Sequence, residues 1–390
     1  MKKWKFSTKS VHIGNDPDEK TGSISVPIYL TSTYEQDAVG KDRGYDYSRA
    51  VNPSRQRLEE SIATLAGGRF GVAFASGMAA ITSIFQMLKY NDHVIISRNV
   101  YGGTYRLVKQ VLNNQGVDFT FIHTSAIEAV LSSLRPETKM MFIETPTNPL
   151  LELSDISLLA KICEDHNILL VVDNTFMSPF GQRPLSLGAH LVVHSSTKFI
   201  GGHSDVIGGI VVTSDEKLGE KLKFIQKSVG AVPSPFDCWL LMRSIKTLPL
   251  RASRQFNTAQ QLAEKLSTRK ELAQVLYPGL PIHPQHKLAK SQHLDPSGKS
   301  VFGSIISIDI GSIESRDRFL KRLTIFKIAE SLGSVESLVS VPYVMTHGSI
   351  PPEEKEILGL TESLVRLSVG IEDPEDLWND LETALTELSG

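Results

Sequence analysis

Cysteine is nearly absent from this 390-residue sequence, which has only Cys163 and Cys238. Two thiols do not make a disulfide framework. Cys163 stands among Leu158, Leu159 and Ile162, and Cys238 beside Trp239 and Leu240. Both are expected to be buried apolar side chains, not nucleophiles. No apolar run is long enough to cross a bilayer. Neither charge is in excess: 41 Lys and Arg face 43 Asp and Glu, a net −2. That balance leaves no basic field to draw in nucleic acid or an anionic membrane. Met1 to Lys9 carries four lysines with no apolar stretch of signal-peptide length behind them, so it is expected to be a solvated arm and the protein cytoplasmic.

Hydrophobic residues make up 41% of the chain and charged residues 22%, the balance of a globular protein too long for one ordinary core. Residues 1–60 hold Pro17, Pro27 and Pro53 without sustained periodicity, and are expected to be an irregular arm that packs on a neighbouring subunit. From about residue 60, apolar runs alternate with helical patterns. Strands are expected at 71–76, 93–97, 117–122, 139–145, 168–174, 190–196 and 208–213, with helices after the first at 104–114, 126–134 and 155–166. Residues 237–268 are expected to form one long helix bent at Pro249. Strands at 303–310 and 364–371 and a last helix from about 374 follow. The fold class is α/β: a mostly parallel sheet with helices on both faces, plus a smaller C-terminal α+β domain. The expected divisions are 1–60 (arm), 61–245 (large domain) and 246–390 (small domain).

Four features fall at expected strand ends, where such sheets bind ligands. Asp173 closes ILLVVD, and a buried acid there needs a partner such as a protonated pyridine nitrogen. Lys198 follows Ser195-Ser196-Thr197, where burial and a nearby cation favour a Schiff-base amine and the hydroxyls suit phosphate. Ser76-Gly77-Met78 opens a helix whose N–H groups face an anion. Neither GxxxxGK[ST] nor GxGxxG occurs there, which argues against a nucleotide module. Tyr101, in YGGT, is placed to stack on a flat heterocycle. Each has an ordinary explanation when taken singly: a turn aspartate, a surface lysine, a βα turn and a structural tyrosine. Together they supply a stack, an electron-sink partner, an imine lysine and a phosphate cup. A metal-dependent hydrolase on His194, His203 and Asp205 is the rival, but the spacing does not match HExxH and no third histidine is evident, so no metal is expected.

Long motifs carry a resemblance: YSRAVNPSR (47–55), SGMAAI (76–81), VYGGTYR (100–106), ETPTNPL (144–150), VVDNTFMSP (171–179), HSSTKFIGGHSD (194–205), AESLGSVESL (329–338) and VRLSVG (365–370). Almost end to end, the chain resembles the Cys/Met-metabolism family of pyridoxal 5′-phosphate (PLP) enzymes. The resemblance implies the type I fold of PLP-dependent transferases, like that of aspartate aminotransferase. It implies that Lys198 holds the cofactor and shuttles protons, with Asp173 at the pyridine nitrogen. Tyr101 would stack on the ring and join in proton transfer, and Asn148 would meet the cofactor hydroxyl. Ser76, Gly77, Met78, Ser195 and Thr197 would hold the phosphate. Tyr47 and Arg49 would reach the phosphate of the neighbouring subunit. Arg366 would fork the substrate carboxylate with Ser334 near it, and Arg106 and Glu336 would border the distal substrate. Amino-acid substrates and a homotetramer built of active dimers are implied as well.

Glu336 and VPYVMTHGSIPPEE (341–354) place the resemblance in the branch of cystathionine γ-synthases and γ-lyases. Asp46, before YSR, tilts the expectation towards γ-synthase, which replaces the acyl group of O-acylhomoserine with cysteine. VGAVPSPFDC (229–238) and YPGLPIHPQH (277–286) point instead to γ-lyase, the alternative.

Overall fold

The apolar runs between residues 70 and 213 pair into one sheet. The computed structural model describes residues 4–348, 350–386 and 388. Among them the strands are β1 (Phe70–Phe74), β2 (His93–Ser97), β3 (Asp118–Ile122), β4 (Thr138–Glu144), β5 (Leu169–Asp173), β6 (Leu191–Ser195) and β7 (Gly209–Thr213). Their order across the sheet is β1-β7-β6-β5-β4-β2-β3. Strands β2 to β6 run parallel, and β7 lies antiparallel to both β6 and β1. Side chains alternate between two cores. Val94, Ile96, Phe142 and Val193 enter one, and Ile95, Met141, Ile143 and Val172 the other. Both faces are covered, which is why these runs are apolar throughout and show no alternation in the sequence.

A second sheet holds β8 (Gln274–Leu276), β9 (Ile305–Asp309), β10 (Lys327–Ile328), β11 (Leu338–Ser340) and β12 (Leu364–Ser368), in the order β10-β11-β12-β9-β8. All its pairs are antiparallel except β10 with β11. The helices Leu248–Leu266, Ile313–Arg322 and Pro374–Thr386 cover it through Leu262, Phe319, Leu377 and Leu381. No helix among the described residues is long and apolar enough to cross a membrane.

Three elements depart from the sequence expectation. Residues 1–60 are not irregular throughout: helices form at Phe6–His12 and Pro53–Leu65, and the second runs past the expected boundary at 60. Asn52 accepts hydrogen bonds from the N–H groups of Ser54 and Arg55, and Pro53 opens the helix where its missing N–H costs nothing. Leu58 and Ile62 then pack with Ile210, Val212 and Leu241. The expected helix at 104–114 begins as an α-helix over Gly102–Arg106, widens to a π-turn over Leu107–Val111 and closes as a 3₁₀ turn over Leu112–Gln115. The single helix expected at 237–268 is two, Pro235–Ile245 and Leu248–Leu266. The break precedes Pro249, which sits in the first turn of the second helix and bends nothing.

Cys163 and Cys238 are fully buried, and burial drives both thiols upward, Cys163 to about 12. Neither is a nucleophile at neutral pH.

Asp380 on the last helix accepts bonds from Thr324 N (2.7 Å), Thr324 Oγ1 (2.6 Å), Ile325 N (2.9 Å) and Phe326 N (3.1 Å). Burial opposes its charge, but these bonds prevail and hold the carboxyl below 3.8. A group with a depressed folded pKa stabilises above its unfolded value and loses that contribution as pH falls through the folded one. Asp380→Asn should therefore lose about 2 kcal/mol near neutrality, with the gap to wild type closing in acid. Denaturant titrations across pH check both the size and the direction.

Candidate active site

A cavity of about 240 Å³ opens at the carboxyl ends of β4, β5 and β6, against the small sheet. Parallel strands end there together, so residues far apart in the chain meet. Asp173 ends β5 and is 7% exposed. Its Oδ1 accepts from Thr175 N (3.0 Å) and Thr175 Oγ1 (2.6 Å), and Thr175 Oγ1 accepts in turn from Ser195 N (2.9 Å). This bridge locks the end of β5 to the end of β6. Burial lifts the Asp173 carboxyl to about 6 against the pull of Thr175.

The helix Gly77–Phe85 points its start into the cavity. The Ser76 hydroxyl is spent as the cap, accepting from Ala79 N at 3.0 Å. Gly77 and Met78 line the cavity beside it. A Cβ on Gly77 would stand 2.9 Å from Ser195 Cβ and 3.0 Å from Ser195 Oγ, so only glycine lets the helix start approach β6 this closely. Ser195 and Thr197 complete the cup, the Thr197 hydroxyl being tied to the Gly208 backbone.

Lys198 and Arg366 join the two sheets. Lys198 Nζ donates to Ser331 Oγ at 2.8 Å. Arg366, central in β12 and 2% exposed, donates from Nη2 to Ser331 O (2.8 Å) and from Nη1 to Asn148 Oδ1 (2.9 Å). Its Nε is buried without a partner, and among the described residues no carboxylate lies at ion-pairing distance from either cation. Burial, then the Arg366 charge, lowers Lys198 to about 8, against a pull from Glu330. Burial lowers Arg366 to about 10. Ser331 holds this geometry with φ +88°, a left-handed conformation a non-glycine residue rarely adopts. Gly333, at φ +78°, then lets the same loop press on the backbone of Phe199, next to the lysine.

Of the residues singled out in the sequence, Ser76, Gly77, Met78, Tyr101, Asn148, Asp173, Ser195, Thr197, Lys198 and Arg366 line this one cavity. Five do not. Tyr47 and Arg49 lie on the exposed arm, with the Arg49 guanidinium 5.4 Å from the Tyr47 ring and donating to Lys227 O. Arg106 is exposed at the end of its short helix, outside the cavity. Ser334 is buried, but its hydroxyl pairs with Ser204 Oγ at 2.7 Å, because the Gly333 turn sends it away from Arg366. Glu336 is exposed beside Ser204. Ser331 meets Arg366 where Ser334 was expected, and Glu330 lines the cavity, while Glu336, expected to border the distal substrate, lies outside it. AESLGSVESL holds three serines, Ser331, Ser334 and Ser337, and two glutamates, Glu330 and Glu336, and only the turn decides which of them face inward. Glu144 and Thr346 were missed as well. The buried glutamate closing an apolar strand was the available signal for the first.

His194 is fully buried, and burial lowers it to about 4 against the pull of the Asn174 backbone. Among the described residues no three His, Cys, Asp or Glu side chains are grouped to hold a metal.

A sequence profile described as Cys/Met metabolism PLP-dependent enzyme matches residues 7–386. The chain belongs to that family. It is 50% identical over 384 residues to cystathionine γ-lyase of Bacillus subtilis (strain 168), covering 98% of this chain and 100% of that one. It is 46% identical over 380 residues to cystathionine β-lyase of Lactococcus lactis subsp. cremoris (strain MG1363), covering 97% and 98%. The structure of cystathionine γ-synthase from Xanthomonas oryzae pv. oryzae in complex with cystathionine superposes with a TM-score of 0.96 at 37% identity, over 99% of each chain. Pyridoxal 5′-phosphate is the family's cofactor, and the enzymes form or cleave C–S bonds. The cavity offers what that group requires: an amine of lowered pKa, a buried carboxyl with one oxygen outside the Thr175 bonds, and a glycine-opened anion cup.

The cation beside Lys198 makes a pH prediction. In the cofactor-free chain, reductive methylation of Lys198 should speed up as pH rises and level off above about 8. Arg366→Met should move that inflection to higher pH, read by peptide mass spectrometry.

Proposed function

We propose that this enzyme cleaves the Cγ–S bond of cystathionine, consuming water and releasing cysteine, 2-oxobutanoate and ammonia. The observation that carries the reading is the buried guanidinium of Arg366 within one serine of Lys198: an anchor for an α-carboxylate beside a base. Likeness to the Bacillus subtilis γ-lyase favours γ-cleavage as the direction. Bound pyridoxal phosphate supplies the electron sink that makes the Cα and Cβ protons of an amino acid removable. Lys198 would hold it and, once displaced by substrate, carry protons between these carbons. Asp173 would keep the ring nitrogen protonated, Tyr101 would cover the ring face, and Asn148 would meet its hydroxyl. The N–H groups of Gly77 and Met78, with Ser195 and Thr197, would bind the phosphate, and the Ser76 cap holds that helix start in place. Arg366 would bind the substrate carboxylate through its N–H groups not already spent on Asn148 and Ser331.

A second reading is γ-replacement, making cystathionine from O-acylhomoserine and cysteine. Asp46 and the likeness to the Xanthomonas oryzae γ-synthase favour it, and the same anchor and base serve both reactions. Incubation with cystathionine alone should release 2-oxobutanoate faster than a parallel incubation of O-acylhomoserine with cysteine forms cystathionine. The reverse order of rates identifies a synthase, and dominant pyruvate identifies β-cleavage. Lys198→Ala should lower turnover about a thousandfold or more.

Tyr47 and Arg49 would complete the phosphate site of a neighbouring subunit, within a homotetramer made of two active dimers. The exposed apolar side chains of the arm, Ile24, Leu30 and Val39, support a covering partner. Inactive Lys198→Ala subunits mixed with inactive Arg49→Ala subunits should regain turnover, because a hybrid dimer holds one intact site. No recovery in demonstrated hybrids overturns the shared site. The cytoplasm remains the proposed compartment.

A further inference from the structure

Glu144 is the last residue of β4 and lies in register with Asp173 on β5. It is 5% exposed, and among the described residues no cation sits at ion-pairing distance from it. An unpaired buried carboxyl is costly to keep. Hydrogen bonds compensate in part, and they run to a particular pair of loops. Oε2 accepts from Tyr101 N at 2.8 Å, and Oε1 accepts from Asn148 N at 3.1 Å. Tyr101 belongs to the loop after β2, and Asn148 to the loop after β4. Asn148 Oδ1 then receives Arg366 Nη1 from the small sheet at 2.9 Å. One side chain thus connects the tyrosine on one wall of the cavity to the arginine on another. Glu144 itself is anchored from behind, where its N–H donates to Ser97 Oγ at 3.3 Å.

We propose that Glu144 is a positioning residue that holds the Tyr101 ring and the Arg366 guanidinium in fixed relation, so that the cofactor stack and the carboxylate anchor are set by one brace. The inference rests on the cofactor reading of the cavity and not on which C–S reaction dominates. A two-acceptor side chain suits this work because each oxygen takes one N–H from a different loop. Burial and the neighbouring Asp173 charge push Glu144 well above the usual carboxylate range. That cost fits a side chain kept for its hydrogen bonds to the two loops.

Glu144→Gln tests the brace. An amide presents one acceptor, so either Tyr101 N–H or Asn148 N–H must face an NH2 group. Without cofactor, hydrogen–deuterium exchange of the peptide holding Tyr101, or of the one holding Asn148, should speed up about tenfold. With cofactor bound at full stoichiometry, its visible circular dichroism should change. The KM for the amino-acid substrate on which the wild-type protein acts should rise about tenfold or more, beyond any change in kcat. Should Glu144→Gln not fold, Glu144→Asp keeps both acceptor oxygens but is one methylene too short to reach both loops, and the same three measurements apply. Wild-type exchange, dichroism and KM overturn the proposal, even if thermal stability falls, since a purely structural carboxyl would lower stability alone. The exchange arm needs neither cofactor nor turnover, so its failure is distinct from failure of the proposed reaction.

Discussion

A lysine amine and an arginine guanidinium share one serine at the junction of the two sheets. Lys198 takes the Ser331 hydroxyl, and Arg366 takes the Ser331 carbonyl. Two cations this close, both buried, are unfavourable when neither has a carboxylate at contact distance. That cost is met in part by lowering the weaker base, Lys198, to about 8, so that it gives up its proton far more readily than a free lysine, as imine chemistry requires. The rest of the architecture maintains the arrangement. The large sheet delivers Lys198 after β6, the small sheet delivers Arg366 within β12, and a left-handed serine followed by a glycine turn brings one to the other.

The carboxyl side of the cavity follows the opposite logic. Asp173 and Glu144 sit side by side because adjacent parallel strands end together, and burial raises both. Their hydrogen bonds differ. Asp173 is tied at one oxygen to its own turn, whereas Glu144 uses both oxygens on backbone groups of separate loops. One carboxyl is left with an oxygen for a ligand, and the other is spent on framing. A buried amine, a buried carboxyl and a buried guanidinium meet in one small cavity, and in the proposed reading they would serve as base, acid partner and carboxylate anchor. The same parts would serve formation or cleavage of a C–S bond, in keeping with relatives of different activities being alike over the whole chain.

Much of the fold was legible because strands buried on both faces must be apolar along their length. β2 coincides with its expected run, and β4 to β7 lie within theirs or differ by a residue. The helix at Pro53–Leu65 escaped notice because proline was weighed as a breaker, although Asn-Pro is also a helix start. The break at 246–247 was placed at Pro249 for the same reason. Asp173, Lys198, Gly77 and Tyr101 could be picked out since each stands at the end of an apolar run, where a polar group needs a purpose. Glu330 and Ser331 could not be singled out, because Glu-Ser recurs at 336–337 in the same stretch and the repeat carries no mark of which copy faces inward.

Sequence by itself determined the run of strands in the large sheet and the family, and brought out Gly77, Asp173, Ser195 and Lys198 as a candidate site, because these depend on local composition and on long contiguous motifs. Only the tertiary structure decided that Arg366 reaches Lys198 through Ser331, that Glu144 joins two loops, and that the arm leaves Tyr47 and Arg49 outside their own subunit's cavity. Those facts concern residues tens to hundreds of positions apart. Their contacts are set by strand register and by the sign of φ at two residues, Ser331 and Gly333, neither of which local periodicity encodes.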